Sequence, residues 1–217
     1  MSIKIILCDD HRIVREGLRS LLKKEEDMQV VGECVNGVEA CKKARDCQPD
    51  IVVLDVAMPD LNGIAAARRI QGEAPNAKIL ALSMHSDRHF ITGMLQAGAS
   101  GYLLKDCAFA ELINAIRTIV SGGMYVSPKI AENVLSEFAQ RERNPRKLAK
   151  MELSAREEEI LQFIAEGKST KAIAKALDLS VKTVETHRQN IMHKLKVDSV
   201  AGLTKYAIRE GLTTLES

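Results

Sequence analysis

The sequence predicts an α/β protein: a doubly wound parallel sheet with helices on both faces, followed by a small domain made only of helices. Short apolar runs alternate with amphipathic stretches through the first half of the chain, which is the pattern of strands and helices in a parallel sheet. A polar, basic and proline-containing segment at 140–147 then indicates a linker, and no strand pattern follows it. The length of 217 residues suits one or two domains.

The elements of the first half can be placed from their periodicity. Apolar runs predict five strands, at 3–8, 29–34, 51–54, 78–82 and 101–104. Apolar residues spaced three and four apart predict five helices, at 12–24, 38–47, 64–74, 88–97 and 109–120. This order predicts one five-stranded parallel sheet. The domain is expected to span 1–122, because Gly122 and Gly123 break the pattern.

The second domain is expected to span 151–217. It follows a connecting segment at 123–150, which consists of a predicted helix at 128–139 and the basic linker. Ser154 and Glu157 are spaced as a capping box and predict where the first helix begins. Gly167 is expected to end that helix. Three further helices are predicted, at 169–177, 180–195 and 200–208.

The composition argues against several classes of protein. The net charge of +2 indicates no partner by itself. The number of cysteines is odd and no two are spaced as CxxC, which argues against a disulfide framework or a zinc site and for reduced thiols. No apolar run approaches the roughly 20 residues of a membrane span, and the first residues lack the layout of a signal peptide. We therefore expect a cytoplasmic protein without a membrane partner.

Charged and hydroxyl side chains follow the predicted strands at the edge where a parallel sheet places its chemistry. Asp9 and Asp10 follow the first strand, Asp55 the third, Ser83 the fourth and Lys105 the fifth. Any one of them alone could simply cap a helix or make a loop soluble. Together, carboxylates from two strand ends favour a divalent cation, and such oxygen ligands suit Mg²⁺. An aspartate beside that cation can accept a phosphoryl group as an acyl phosphate, while a lysine neutralises the transferred charge.

These strand-end residues carry a resemblance to a known family. Residues 3–121 resemble the receiver domain of two-component response regulators, on Asp9-Asp10, the stretch 55–63 (DVAMPDLNG), Ser83 and the stretch 101–105 (GYLLK). The resemblance implies a flavodoxin-like (βα)5 domain with Asp55 as the phosphoacceptor. It also implies that a sensor histidine kinase donates the phosphoryl group in a Mg²⁺-dependent reaction.

The same resemblance assigns roles to the residues around the phosphoacceptor. Asp10 and Asp55 would bind Mg²⁺ directly, and Asp9 would bind it through a water molecule. Ala57 would contribute its carbonyl oxygen as a further ligand. Lys105 would pair with the phosphoryl group, and Ser83 would hydrogen-bond to it. Tyr102 would move inward behind Ser83. The alternative for Tyr102 is an ordinary, half-exposed strand residue.

The helical domain contains a strongly basic segment. The stretch 168–196 carries seven lysines and arginines against two acids, a net charge of +5. Such a face is typical of domains that contact DNA phosphates. Residues 150–213 resemble the LuxR-type helix-turn-helix of NarL/FixJ regulators, on the stretches 153–161, 165–174, 179–187 and 191–195. Thr170-Lys171-Ala172 departs from the family pattern, in the scaffold helix rather than the recognition helix.

The helix at 181–195, capped by Ser180, is the predicted recognition helix. Three side chains that project away from its apolar face are candidates for base contacts: Glu185, Thr186 and Gln189. Four are candidates for phosphate contacts: Lys182, Thr183, Arg188 and Lys194. The resemblance also implies that the last helix pairs DNA-bound domains on a two-fold site. Its candidate dimerisation residues are Val200, Leu203 and Ala207.

The leading hypothesis is a transcription regulator that binds double-stranded promoter DNA and forms a homodimer when phosphorylated. It is not expected to be an enzyme beyond catalysing its own phosphorylation and dephosphorylation. One alternative is an enzyme of the haloacid-dehalogenase type, but that chemistry needs a second acid two residues after the nucleophile, where this chain has Ala57. Another alternative is a DNA-binding protein that ignores phosphorylation, and the complete set of strand-end residues argues against it.

Overall fold

The computed structural model describes residues 2–84, 86, 88–106, 109–128, 130–131, 153–210 and 212–213. The chain divides into two compact units, Met1–Arg143 and Asn144–Ser217. The predicted basic linker and most of the predicted helix at 128–139 lie outside the described residues. Among the described helices, none combines the length and the apolar character that crossing a bilayer requires.

The first unit is built on a parallel sheet with the strand order β2-β1-β3-β4-β5-β6. Its strands are β1 Ile3–Cys8, β2 Met28–Cys34, β3 Ile51–Asp55, β4 Lys78–Ser83, β5 Gly101–Leu104 and β6 Tyr125–Val126. Five helices connect or follow them: α1 Arg12–Leu22, α2 Gly37–Cys47, α3 Gly63–Glu73, α4 Arg88–Gln96 and α5 Phe109–Val120. The predicted doubly wound fold is confirmed, and the five strands and five helices predicted between residues 3 and 120 are all present.

The sheet is buried on both faces because its strands are apolar at successive positions. In β1, Ile5 and Leu7 belong to the core beneath α1 and α5. Ile6 and Cys8 belong to the opposite core, which α2, α3 and α4 cover. Side chains of a strand point alternately to the two faces, so a continuous apolar run is what a strand between two helical layers requires.

The sixth strand was not expected from the sequence. Tyr125 and Val126 pair in parallel with Gly101 and Tyr102 of β5, so the sheet extends beyond the predicted boundary at 122. Two residues are too few to show a periodic pattern. The strand forms because the edge of β5 offers main-chain partners, such as the carbonyl of Ser100, which accepts from the Tyr125 amide at 3.1 Å.

The second unit consists of helices among the residues that the structure describes: α6 Ala155–Ala165, α7 Thr170–Ala176, α8 Val181–Leu195 and α9 Val200–Arg209. A serine side chain caps the N-terminus of each by accepting a backbone N–H three residues later: Ser154, Ser169, Ser180 and Ser199. The predicted capping box of Ser154 and Glu157 is present in both directions. Apolar side chains from all four helices form one core, which includes Ile160, Ile173, Ile191 and Leu203.

Candidate functional site

Two buried carboxylates and a lysine meet at the carboxyl edge of the sheet. Asp9 follows β1, Asp55 ends β3 and Lys105 follows β5. The Lys105 ammonium lies 2.7 Å from Asp9 Oδ2 and 2.7 Å from Asp55 Oδ2. Asp55 is only 3% exposed. The predicted convergence of strand-end residues is therefore present, with the lysine between the two acids.

An exposed half of the site surrounds Asp10 and His11. Nδ1 of His11 lies 2.8 Å from Asp10 Oδ1 and 3.3 Å from Asp9 Oδ1. The His11 amide also donates to Asp9 Oδ1 at 2.9 Å. One ligand atom from each of Asp9, Asp10, His11 and Asp55 lies within 4.8 Å of the others. Three carboxylates this close together repel one another unless a cation separates them.

The donor set fits the predicted Mg²⁺. Magnesium prefers hard oxygen ligands and keeps several waters, so it needs few protein carboxylates. Asp10 is exposed and Asp55 is buried, which leaves the outer side of the cluster open to water. The Ala57 amide donates to Asp55 Oδ1 at 3.3 Å. The role of the Ala57 carbonyl oxygen as a Mg²⁺ ligand stays a prediction.

The electrostatics of the site depend on burial and on the lysine. Burial raises the pKa of Asp55 from 3.8 to about 6, while Lys105 acts to lower it and Asp9 acts to raise it. Burial alone would lower the pKa of Lys105, but the carboxylates of Asp55 and Asp9 outweigh it and raise that pKa. The lysine is therefore a cation at neutral pH, placed to neutralise charge that arrives at Asp55.

The predicted switch residues lie on β4, which is next to the strand of Asp55, and on β5, one strand further. Ser83 ends β4 and is fully buried, and its carbonyl accepts from the Lys105 amide at 2.8 Å. Tyr102 on β5 is also fully buried, in the same core as Ile91 and Met94. Its ring is thus already inside in this structure, so the half-exposed alternative does not hold here. Its predicted inward movement stays a prediction about another state.

The loop after Asp55 is tightly packed against the main chain of β3. Asn62 caps α3 by accepting from the Ala65 amide at 2.9 Å, and the Gly63 amide donates to the Val56 carbonyl at 2.9 Å. A Cβ on Gly63 would lie 2.8 Å from the Cα of Val56 and closer still to the Asp55 carbonyl oxygen. Only glycine lets the first turn of α3 approach the phosphoacceptor so closely.

In the second unit, α7 and α8 form a helix-turn-helix. Asp178 makes the turn with a φ of 53°, a left-handed conformation that aspartate tolerates better than most residues. Nη2 of Arg156 on α6 donates to the carbonyl of Leu177 at 2.6 Å, and Nη1 of the same side chain lies 2.7 Å from Glu159 Oε2. The turn is therefore held by a guanidinium from the preceding helix as well as by the Ser180 cap.

The predicted DNA-contacting residues of α8 differ in their exposure. Four are exposed: Lys182, Glu185, Thr186 and Gln189. Thr183 and Arg188 are half-buried, and the Thr183 hydroxyl lies 2.8 Å from that of Ser180. Lys194 donates to Glu157 of α6 at 2.7 Å, which ties the end of α8 to the start of α6. Its phosphate contact stays a prediction, because that ammonium already has a carboxylate partner.

The three candidate dimerisation residues on α9 are not equally accessible. Val200 is 42% exposed, whereas Leu203 and Ala207 are fully buried in the core of the helical unit. Within this fold a second copy could reach Val200 but neither of the others. The apolar face of α9 that contains Leu203 and Ala207, spaced as helix neighbours, thus packs in the core of its own unit.

Three residues with contacts at these sites were missed by sequence reasoning: His11, Arg15 and Arg156. His11 directly follows the acidic pair, so its position was a visible signal. The Arg15 guanidinium donates to the carbonyl of Asp9 at 2.7 Å. Arg15 and Arg156 both bind main-chain oxygens, which every residue possesses. Their contacts therefore leave no motif in the sequence.

Two family models match the chain. Residues 5–117 match the response regulator receiver domain, and residues 151–207 match the bacterial regulatory proteins of the luxR family. The chain is 39% identical to the oxygen regulatory protein NreC of Staphylococcus carnosus over 218 residues, which covers 97% of this chain and 99% of that protein.

Solved structures of similar proteins cover both units. The response regulator ChrA of a heme-sensing two-component system is 35% identical, with a TM-score of 0.53, over 97% of this chain and 98% of that one. RcsB from Salmonella enterica serovar Typhimurium, bound to a promoter in the presence of the phosphomimetic BeF3⁻, is 25% identical, with a TM-score of 0.61. That likeness covers 98% of this chain and 100% of the other.

Proposed function

The chain belongs to the response regulators that join a receiver domain to a LuxR-type DNA-binding domain, and we propose that phosphorylation of Asp55 controls its binding to promoter DNA. The observation that carries this proposal is the Lys105 ammonium, 2.7 Å from both Asp9 and Asp55. A buried aspartate beside a fixed cation, at the rim of an acidic cluster, is equipped to accept a phosphoryl group.

The chemistry is a transfer from a phosphohistidine of a sensor kinase to an Asp55 oxygen. The nitrogen–phosphorus bond breaks, an oxygen–phosphorus bond forms to give the acyl phosphate, and the kinase histidine, protonated on its other ring nitrogen, leaves as neutral imidazole. Lys105 holds its charge beside the transferred group, and the Ala57 amide steadies Asp55 Oδ1 at 3.3 Å. A bound Mg²⁺, held by Asp9, Asp10 and Asp55, would supply charge neutralisation for the transferring group. We propose that this self-modification is the chain's whole catalytic repertoire.

The output is proposed to be a homodimer on a two-fold promoter site, in the cytoplasm. Two structures of the similar protein RcsB support the proposal: in one it is bound to a promoter in the presence of the phosphomimetic BeF3⁻, and in another two RcsB dimers are bound to two parallel DNAs. Here the exposed face of α8 would enter the major groove, and Val200 is the accessible candidate on α9. Phosphorylation would act by favouring the arrangement of units that can pair on DNA.

We expect acetyl phosphate and Mg²⁺ to add one phosphoryl group to the wild type and none to Asp55→Asn, because the amide is not a nucleophile. Mass spectrometry measures the addition, and size-exclusion chromatography with light scattering measures the dimer. The matched control is Asp46→Asn, an exposed aspartate on α2, which should behave as wild type. An unmodified wild type, or DNA affinity unchanged by modification, would refute the switch. A phosphoryl group on Asp55→Asn would place the acceptor elsewhere.

Two substitutions on α8 should separate base reading from phosphate binding. Gln189→Ala is expected to reduce discrimination between a selected site and its single-base variants by about 1–3 kcal/mol. Lys182→Ala should weaken binding to all sequences similarly and lower the salt dependence by about one released ion. Fluorescence anisotropy at several salt concentrations, with DNA selected from a random pool, measures both effects. Lys78→Ala, an exposed lysine of the receiver unit, is the control. Equal losses on all DNAs for Gln189→Ala would exclude a base contact.

A further inference from the structure

We propose that Arg15 is a positioning residue for the acidic pair: it holds the main chain of Asp9 and Asp10 so that their carboxylates can share a cation. The inference rests on the proposed Mg²⁺-dependent phosphorylation of Asp55 and assigns a residue that makes it possible. The Arg15 hydrogen bonds that carry this inference go to main-chain oxygens of the pair and not to its carboxylates. Arg15 acts through two peptide carbonyls.

The Arg15 guanidinium reaches back over the first turn of α1 to the loop that precedes it. Its Nη1 donates to the carbonyl of Asp9 at 2.7 Å and lies 3.3 Å from the carbonyl of Asp10. The Arg15 side chain is 13% exposed, so these bonds are largely shielded from water. Hydrogen bonds from a charged donor are stronger than neutral ones. One nitrogen therefore fixes two successive peptide groups, those that carry the acidic pair.

The main chain of Asp9 is held on both sides of its Cα atom. Its amide donates to the carbonyl of Cys34 on β2 at 3.2 Å, and its carbonyl accepts from Arg15. Glu33 of β2 forms a long ion pair with Arg15, with its Oε2 3.9 Å from the arginine Nε, which is beyond hydrogen-bond distance. Rotation of the peptide group before Asp9 would break the bond to Cys34, and rotation of the peptide group after it would break the charge-assisted bond to Arg15.

This restraint matters because the acidic cluster opposes its own geometry. Asp9, Asp10 and Asp55 present oxygens within 4.8 Å of one another, and like charges at that distance repel. A free loop would relax by turning Asp10 away, since Asp10 is the exposed member. Outer partners that orient metal ligands typically change affinity 10–100-fold when they are removed. For Arg15 we expect a change in Mg²⁺ affinity at the lower end of this range, because Arg15 holds the main chain rather than a ligand atom.

Arg19 provides a matched comparison one helical turn further along α1. It also pairs with Glu33, with its Nη1 3.3 Å from Oε1, but it is 55% exposed. Among the contacts of the described residues, the hydrogen bonds to the Asp9 and Asp10 carbonyls come from Arg15. Replacing either arginine removes a positive charge from α1 and an ion pair with Glu33. Only replacing Arg15 also removes the hydrogen bonds to the two carbonyls.

The test is calorimetric titration of the full chain with Mg²⁺, for wild type, Arg15→Gln, Arg15→Lys and Arg19→Gln. Arg15→Gln is expected to raise the Mg²⁺ Kd about tenfold. Arg15→Lys should restore part of the affinity, because an ammonium still donates but has no planar fork. Arg19→Gln should stay within about twofold of wild type, since an exposed ion pair contributes little. Phosphorylation by acetyl phosphate should need about tenfold more Mg²⁺ in Arg15→Gln and reach the same maximal rate.

Thermal unfolding of each variant in EDTA measures its stability without Mg²⁺. This distinguishes a loss of Mg²⁺ affinity from a loss of folded protein. Wild-type Mg²⁺ affinity in folded Arg15→Gln overturns the inference, even if its melting temperature falls. If Arg15→Gln does not fold, Arg15→Lys decides, and its unchanged Kd likewise overturns the inference. A wild type that takes up neither Mg²⁺ nor a phosphoryl group would instead refute the proposed function, and this inference with it.

Discussion

Replacing Lys105 with methionine is expected to destabilise the receiver unit by about 3 kcal/mol at pH 8 and by less at pH 5, in the absence of divalent cations. The lysine lies 2.7 Å from two buried carboxylates. Methionine keeps most of the side-chain volume, so packing changes little. Removing one partner of a buried ion pair is costly because it leaves charge that neither water nor a counter-ion compensates.

The pH dependence follows from the direction of the Asp55 shift. Its pKa is raised from 3.8 to about 6 in the folded protein, so the folded state holds this proton more tightly than the unfolded chain. Stability therefore falls as pH rises through the interval from about 4 to about 6. Without Lys105 the pKa of Asp55 rises further, and the fall continues to higher pH. At pH 5 most Asp55 is protonated with or without the lysine, so the difference shrinks.

Hydrogen exchange of peptides from β3 and β4, at both pH values in EDTA, measures the loss in the receiver unit alone. Mg²⁺ should recover part of it at pH 8, because a divalent cation compensates the same carboxylates. Lys78→Met is the control, since Lys78 is an exposed lysine at the start of β4, and its effect should stay within about 0.5 kcal/mol. A loss for Lys105→Met that is equal at both pH values would contradict the electrostatic explanation.

Gly63→Ala is expected to cost the receiver unit 3 kcal/mol or more, about as much as any single substitution at a special backbone site. The added Cβ would overlap the Asp55 carbonyl oxygen and lie 2.8 Å from the Val56 Cα. Both neighbours are main-chain atoms of a buried segment, so neither can swing away as a side chain would. The start of α3 must move, and the phosphoacceptor loop moves with it. We therefore expect slower phosphorylation in the folded fraction as well.

Gly72→Ala, in the last turn of the same helix, is the matched control. Nothing lies within 4 Å of a Cβ there, so alanine should stabilise the helix by up to about 1 kcal/mol. Urea unfolding and acetyl phosphate kinetics on both variants give the comparison. If both alanines shift stability in the same direction, the close approach at Gly63 does not carry the expected cost.

The regular elements were predictable because each has a pattern of its own. The runs in β1 and β3 are apolar over consecutive residues, and α8 has both its serine cap and its apolar spacing in the sequence. The strand β6 was not predictable, because Tyr125 and Val126 become a strand only by meeting the edge of β5. Local sequence describes what a segment can do, whereas such short pairings depend on what the rest of the chain presents.

The functional sites divide in the same way. Asp9, Asp55 and Lys105 were predictable because parallel strands bring their carboxyl ends to one edge. Arg15 was not, since its partners are carbonyl oxygens that every residue possesses. On α9, periodicity identified an apolar face but could not apportion it between the unit's own core and a second copy. Leu203 is buried within the unit, and Val200 is exposed.

The order of the strands also sets how far position 105 must reach. The ends of β3 and β5 are separated by β4, and neighbouring strands lie about 4.8 Å apart, so the two ends are about 10 Å apart. An unbranched four-carbon stem spans much of that width and brings its terminal nitrogen to Asp55, and to Asp9 on the strand beyond. A shorter amine on the same backbone would not reach both carboxylates at 2.7 Å. Side-chain length, as much as charge, thus decides which residue can bridge this edge of the sheet.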